Sequence, residues 1–420
     1  MMATLQRRQL GALTIATPLA APALAQTGAP IKIGYGMALS GPLAAAGRSA
    51  HIATEIWRDD VNGRGGILGR RVELVALDDQ STPGAVPAIY TKLLDVDRVD
   101  VIMSGYATNQ IAPAMPIAIQ RRKLFLGLHG LGVNETFRSD RYFHVVPYGP
   151  NPGTDWMKGF MTLLDQITPR PTSIGFLYAD AEFAQNSIGG LRTQARALNL
   201  RVAYDQSYPM ATVDMSALVR GLRAADPEVV VVLTYPQHTG GFVRAVGEIG
   251  LGANAKLVGG GMVGPQFATL LQQLGPALNG YVNFHFFVPE PSMTSPATTA
   301  FLERYQPVAA AANVDPLGFY VPTFAYARCQ VLEAAITATR GLDDAAMAAH
   351  IRANSFDTVV GPVRFGLNGE RREQGAIFVQ YRGIQPDNLE QFRGPGRQVI
   401  LAPAGVASGR LVTPFAEARR

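Results

Sequence analysis

The residues best placed to do chemistry fall in three short loops of the first third of the chain. Ser40-Gly41-Pro42-Leu43-Ala44-Ala45-Ala46-Gly47, Ser104-Gly105-Tyr106-Ala107-Thr108-Asn109-Gln110 and Leu128-His129-Gly130-Leu131-Gly132 each set glycine beside a hydroxyl or an imidazole. Such loops bring hydroxyl donors and backbone N–H groups close to a small molecule, which is the chemistry of holding a ligand. One such loop on its own could be a simple tight turn; three in succession favour a ligand site. Bond-breaking chemistry finds less support. There is no G-x-S-x-G elbow, P-loop or H-E-x-x-H. The six histidines, at 51, 129, 144, 238, 285 and 350, never stand four residues apart. Thr108 with His129 is the only nucleophile–base pair that can be named. Asp78-Asp79 reads either as a metal pair or as turn caps. Gly259-Gly260-Gly261 lacks the later glycine of a dinucleotide fingerprint, and Cys329 sits in an apolar helical pattern as a buried thiol. No catalytic residue, metal site or cofactor is expected, and the chain is not read as an enzyme.

These loops need elements to hold them, and short apolar runs alternating with helical patterns supply βαβ units. Strands are expected at Ile31–Met37, Val72–Leu77, Val99–Met103 and Leu124–Leu128, with helices at Arg48–Val61, Gly84–Leu94 and Ile111–Gln120 between them. The turn-rich run Pro147-Tyr148-Gly149-Pro150-Asn151-Pro152-Gly153 then separates a second series. Its strands are Ser173–Tyr178, Arg201–Ser207, Glu228–Leu233 and Lys256–Val258; its helices are Asn186–Ala197, Met215–Ala224 and Gly240–Ile249. An aromatic strand at 281–287 ends at Pro289-Glu290-Pro291, and helices follow at Ala297–Ala311, Pro322–Thr339 and Asp344–Ala353. Strand, turn and strand from Gly361 to Arg382 come next, and the Gly/Pro-rich tail after about Asp387 is expected to be loosely ordered. Each chemical loop thus lies at the C-terminal end of a strand.

The bulk composition agrees. At 420 residues with 47% hydrophobic and 16% charged, the chain is sized for two or three ordered domains and is too apolar to be disordered. One cysteine excludes an internal disulfide, and a formal charge of +5 with scattered basic residues argues against nucleic acid as a partner. Residues 1–25 read as an export signal: Arg7-Arg8, an apolar stretch from Leu10 to Leu24, and Ala23-Leu24-Ala25 for cleavage. Paired arginines fit twin-arginine or ordinary export equally. Cleavage would leave Gln26 first and lower the formal charge to +3. A soluble exported protein is expected.

One set of motifs points to a family. Ile31-Lys32-Ile33-Gly34 with Ser40-Gly41-Pro42, then Val61-Asn62-Gly63-Arg64-Gly65-Gly66-Ile67-Leu68-Gly69-Arg70-Arg71-Val72-Glu73-Leu74, then Asp78-Asp79, resembles the N-terminus of leucine/isoleucine/valine-type periplasmic binding proteins. These are the type I solute receptors of ABC importers. Asn354-Ser355-Phe356-Asp357-Thr358-Val359-Val360-Gly361-Pro362-Val363-Arg364-Phe365 is similar to the family's third crossover, so the resemblance runs from about Ile31 to Arg382. It implies an α/β fold of two Rossmann-like lobes joined by a three-crossover hinge. The lobes would comprise residues 26–147 with 289–360, and 148–288 with 361–390, leaving 391–420 as a tail. It also implies a periplasmic location, a monomer, a small-molecule solute and the membrane permease of an ABC importer as partners.

Carried over residue by residue, the family pocket falls on Tyr106, Ala107 and Thr108, with Thr108 as hydroxyl donor to a ligand carboxylate. His129, Gly130 and Leu131 would hold the ligand head. Phe183 and Tyr235 would be the aromatics of the second lobe, and Tyr320 that of the first. Two positions depart from the pattern. The carboxylate that pairs with an amino acid's ammonium falls on Gly261, and a tyrosine falls on Ala46. Burying an ammonium without a partner costs several kcal/mol. The resemblance with these gaps therefore implies a roomier, aromatic cleft for a non-amino-acid solute such as an aromatic or hydrophobic carboxylate. A branched-chain amino acid, an amide or urea, or a ligand-sensing role of the same fold are the alternatives, with Asp180 or Glu182 replacing the missing acid in the amino-acid case.

Overall fold

The computed structural model describes residues 28–420, so the export signal expected at 1–25 lies outside the described residues. The first sheet holds β1 (Ile31–Met37), β2 (Val72–Asp78), β3 (Val101–Tyr106), β4 (Phe125–Leu128) and β5 (Tyr142–His144), all parallel in the order β2-β1-β3-β4-β5. The second is built from β6 (Ser173–Ala179), β7 (Arg201–Tyr208), β8 (Val229–Thr234), β9 (Leu257–Met262) and β10 (Val282–His285), in the parallel order β7-β6-β8-β9-β10. Its residues explain the parallel arrangement. Val229-Val230-Val231-Val232-Leu233-Thr234 is buried at every position, as a strand covered by helices on both faces must be.

A hairpin of β11 (Ser355–Thr358) and β12 (Gly361–Arg364) precedes β13 (Ile377–Tyr381), which runs antiparallel to β10. The chain passes between the sheets three times: after β5, after β10, and around the hairpin. After the second passage it returns to the first sheet, where helix Pro322–Thr339 packs on helix Ala44–Gly63. Trp57 Nε1 donates to Glu333 at 3.0 Å, and Asp60 takes two bonds from Arg304 at 2.6 and 2.7 Å. Helix Ala44–Gly63 reaches so close to the end of β1 that a Cβ on Gly47 would lie 1.9 Å from the Ala38 carbonyl oxygen. That position is closed to anything but glycine.

Three expectations are corrected. The helix expected over Ile111–Gln120 is split into Thr108–Ile111, a 3-10 turn Ala112–Ala114 and Met115–Gln120, because Pro113 and Pro116 each remove a helical N–H. The tail is not loose. Gln398–Ala402 forms β14 on the edge of the second sheet, and Phe415 packs against Tyr281 at 4.9 Å between ring centroids. The strand expected at Lys256–Val258 runs on through all three glycines to Met262; a Cβ on Gly259 would lie 1.8 Å from the Val282 carbonyl oxygen.

Candidate functional site

Each sheet reverses its strand order once, between β1 and β3 in the first and between β6 and β8 in the second. Loops leaving neighbouring strands at such a reversal part from one another and leave a crevice. Here the two crevices face each other. Leu43 follows β1, Tyr106-Ala107-Thr108 close β3 and His129 follows β4; Phe183 follows β6, Tyr235 follows β8 and Val263 follows β9. With Tyr148 from the first passage and Tyr320, these residues enclose a cavity of about 20 Å³, enough for one water. The structure therefore brings together Tyr106, Ala107, Thr108, His129, Phe183, Tyr235 and Tyr320 of the residues expected from the sequence.

On the first-lobe side the backbone is strained. Ala107 has φ 79° and ψ 149°, and His129 has φ 56°. Non-glycine residues hold such angles only where the surroundings impose them, often at ligand clamps. Hydrogen bonds impose them here. The Leu131 N–H donates to Thr108 Oγ1 at 3.0 Å, which locks the two loops together and leaves the Thr108 proton to donate. The Gly130 N–H donates to His144 Nε2 at 2.9 Å. His144 therefore carries its proton on Nδ1, which stands 3.2 Å from Glu370 Oε2 in a fully buried pair.

Rings make up most of the wall. His129 and Tyr320 lie 4.3 Å apart between centroids, Tyr106 stands 5.6 Å from His129, and Phe183 meets Tyr235 edge-on at 6.0 Å. His129 Nε2 is 3.3 Å from the Tyr320 carbonyl oxygen and Nδ1 is 3.4 Å from the Tyr148 hydroxyl, so Nε2 donates and Nδ1 accepts. Both nitrogens are thus engaged away from Thr108, and no nucleophile–base pair exists there. Burial, helped by nearby His144, holds the imidazole pKa well below its ordinary value, so His129 is neutral. Burial, and next the proximity of one another, pushes the hydroxyls of Tyr106, Tyr148 and Tyr320 well above theirs. The Tyr235 hydroxyl is buried without a hydrogen-bond partner. No residue lining the cavity carries a formal charge.

Four expected residues stand off the cavity wall. Ala46 is buried inside helix Ala44–Gly63, where its carbonyl accepts from Ser49 Oγ. Gly130 and Leu131 act through their backbones, and the Leu131 carbonyl accepts from Asn186 Nδ2 at 2.8 Å. Gly261 is packed against Trp156 and Leu233 and does not line the cavity. Asp180 and Glu182 are both exposed, and neither lines the cavity. Sequence reasoning missed Leu43, Tyr148 and Val263. Tyr148 was legible as the one aromatic in a proline- and glycine-rich passage; Val263 lies two residues beyond the position singled out.

Asp78 and Asp79 serve as turn caps. Asp78 Oδ1 accepts from the N–H groups of Leu39, Ser40 and Gln80 at 3.0, 3.2 and 2.8 Å, and Asp79 Oδ1 accepts from Ser81 at 2.8 Å. Cys329 is buried, and burial raises its thiol pKa to about 11.

Comparison with known proteins agrees with this geometry. Residues 30–385 match the family model described as periplasmic binding protein. Leu/Ile/Val-binding protein homolog 8 of Brucella suis biovar 1 (strain 1330) is 28% identical over 265 residues, which are 61% of this chain and 64% of that protein. The chain thus matches a little under two thirds of that relative's length. Among solved structures, a branched-chain amino acid transporter substrate binding protein from Streptococcus pneumoniae in complex with isoleucine aligns with TM-score 0.69 and 19% identity, covering 92% of this chain and 100% of that one. A Rhodopseudomonas palustris solute binding protein in complex with 4-hydroxybenzoate aligns with TM-score 0.72 and 18% identity, covering 86% and 94%. At these identities the likeness is one of fold.

Proposed function

The chain belongs to the periplasmic binding protein family, non-enzymatic receptors for solutes, and from that premise we propose that it captures a small aromatic or hydrophobic carboxylate for an ABC importer. One observation carries the reading: six of the ten residues around the cavity present rings, and none presents a charge. An α-amino acid would bury two unpaired charges here, its ammonium and its carboxylate, whereas an aromatic acid buries one, and each such charge costs several kcal/mol. An aromatic acid would pack its ring among His129, Tyr320, Phe183 and Tyr235, each ring pair contributing about 0.5–1.5 kcal/mol beyond area burial. Its carboxylate would accept from the Thr108 and Tyr235 hydroxyls. The solute complexes of fold neighbours with benzoate and 4-hydroxybenzoate support this class.

A cavity of about 20 Å³ is smaller than any such solute, so the lobes part to admit it and close again around it. In this reading residues 26–147 with 289–360 form one lobe and 148–288 with 361–390 the other, and the tail joins the second lobe through β14. Export would remove residues 1–25 and deliver a monomer to the periplasm, where the permease is its partner. N-terminal sequencing that finds Gln26 first would support the export step.

The deciding experiment is a melting panel of the mature protein against benzoate, 4-hydroxybenzoate, short aliphatic acids, leucine, isoleucine and valine. Binding to the native state alone adds about 2.7 kcal/mol at a hundredfold excess over Kd, or roughly 5–10 °C. Aromatic acids are expected to produce such a shift and the branched-chain amino acids none. A shift with leucine alone would overturn the ligand class and leave the family assignment standing.

A further inference from the structure

In the proposed complex one charge remains, the solute's carboxylate, and the protein holds a charge of opposite sign behind the cavity wall. Arg328, in helix Pro322–Thr339, is fully buried. Its Nη1 donates to the Ser104 carbonyl at 2.7 Å, while Nε and Nη2 have no hydrogen-bond partner. Among the described residues no carboxylate pairs with it. Glu333, the next acid along the helix, is held by Arg64 and Trp57 at 2.8 and 3.0 Å. The buried Asp79 feels the charge of Asp78 and not that of Arg328. Tyr35, Tyr90 and Cys329 stand within reach of the guanidinium, and burial keeps all three protonated. An arginine does not shed its proton, so the core of the first lobe carries an uncompensated cation.

Two contacts tie that cation to the cavity between the lobes. Ser104 lies where the register of β3 on β4 shifts, two residues before Tyr106, and its hydroxyl accepts from the Leu128 N–H at 2.9 Å, next to His129. Phe324, one helical turn before Arg328 and so on the same face, meets His129 edge-on with 5.6 Å between rings. Burial and then His144 hold the His129 imidazole below its ordinary pKa, and the charge of Arg328 adds to them. Satisfying the Ser104 carbonyl needs only one neutral donor, which a glutamine would supply without burying a charge.

We infer that Arg328 is a specificity-determining residue of this cavity: without touching the solute, its charge offsets the solute's carboxylate and makes the site prefer an anion to a neutral molecule of the same shape. The inference rests on the carboxylate reading above. A unit charge about 10 Å away, at an effective dielectric of about 20, is worth roughly tenfold in affinity. The same charge disfavours an ammonium.

The test is calorimetric titration of the mature full-length chain with benzoate and with benzamide, its neutral counterpart. The wild type should favour benzoate by tenfold or more. Arg328→Gln keeps a donor for Ser104 and removes the charge; it should cut that preference about tenfold and leave benzamide within threefold. Arg328→Lys keeps both donor and charge and should retain the preference. The wild type alone gives a further readout, from heats measured at pH 7 in buffers of different ionisation enthalpy. Benzoate should bind with no proton taken up, because its counter-charge is already in place. A wild type that binds both solutes equally, equal losses of both in Arg328→Gln, the same preference in the Gln and Lys variants, or uptake of a full proton would overturn this inference and leave an aromatic site standing. A wild type that binds neither solute would overturn the primary reading, and this one with it.

Discussion

Trp156 occupies the space a side chain at Gly261 would need: a Cβ there would lie 2.9 Å from the indole Cη2 and 2.6 Å from Leu233 Cδ2. The indole is itself wedged against Phe284 at 5.2 Å, Phe183 at 5.5 Å and Tyr148 at 6.2 Å. The indole and Leu233 thus close position 261 to any larger side chain.

Gly261→Glu should therefore unfold the second lobe's core instead of creating an amino-acid site. A loss of at least about 3 kcal/mol is expected from overpacking and a buried unpaired carboxylate. Trp156→Ala alone should cost about 3–5 kcal/mol through the cavity it leaves. Because the two side chains compete for one volume, the double variant should lose about 1–3 kcal/mol less than the sum. Strictly additive losses in denaturant melts would show that the indole does not limit position 261.

Much of this architecture was legible in the sequence. Ile31–Met37, Pro322–Thr339 and Asp344–Ala353 begin and end at the residues their patterns indicate: Pro30 precedes the first, and proline or polar residues bound both helices. The switch-point loops were legible for the same reason: glycine and hydroxyl residues interrupt apolar runs. What escaped was whatever depends on partners remote in sequence. β5 is three residues long and exists only through its pairing with β4, and β14 gains its order from β13. The surroundings of Gly261 escaped too, since nothing near it in sequence announces that Trp156, more than a hundred residues earlier, packs against it.

Asp79 gives a pH signature. Burial raises its carboxyl pKa to about 6, although the Ser81 N–H opposes the shift, with the charge of Asp78 adding to it. The folded state then holds its proton to higher pH than the unfolded chain does, so this group's contribution to stability falls as pH rises from about 4 to about 6. Asp79→Asn keeps an oxygen for the Ser81 N–H and abolishes the ionisation. It should stabilise the protein at pH 7 by on the order of 1–3 kcal/mol and by little at pH 4. Equal gains at both pH values in urea melts would refute the assignment.

Ala107 separates stability from binding. Its φ of 79° costs about 1–3 kcal/mol for a residue with a Cβ, against about 0.5–1 kcal/mol of extra chain entropy for glycine. Ala107→Gly should raise stability by about 1 kcal/mol. The loop holding Thr108 would then be less preorganised, and solute affinity should fall several-fold. If calorimetry shows higher stability with unchanged affinity, the strain is not part of the ligand clamp.

Tyr235 offers the converse dissection at the opposite wall. Its backbone is fixed as the residue that opens helix Pro236–Ile249, with its carbonyl accepting from the His238 and Thr239 N–H groups at 3.0 and 3.3 Å. Its hydroxyl, by contrast, is buried without a partner. A buried unsatisfied hydroxyl costs about 1–3 kcal/mol, so Tyr235→Phe should leave the free protein equally stable or firmer. In the proposed complex the same hydroxyl would donate to the solute's carboxylate, a charge-assisted bond of about 1.5–3 kcal/mol. Affinity for an aromatic acid should accordingly fall by roughly tenfold to a hundredfold while the ring still packs against Phe183. Thr108→Val should act in the same direction, although it also removes the acceptor of the Leu131 N–H and so should lower stability as well. The two variants together therefore distinguish a hydroxyl kept for the solute from one kept for the fold: a Tyr235→Phe protein that melts lower and binds as before would place Tyr235 in the second group.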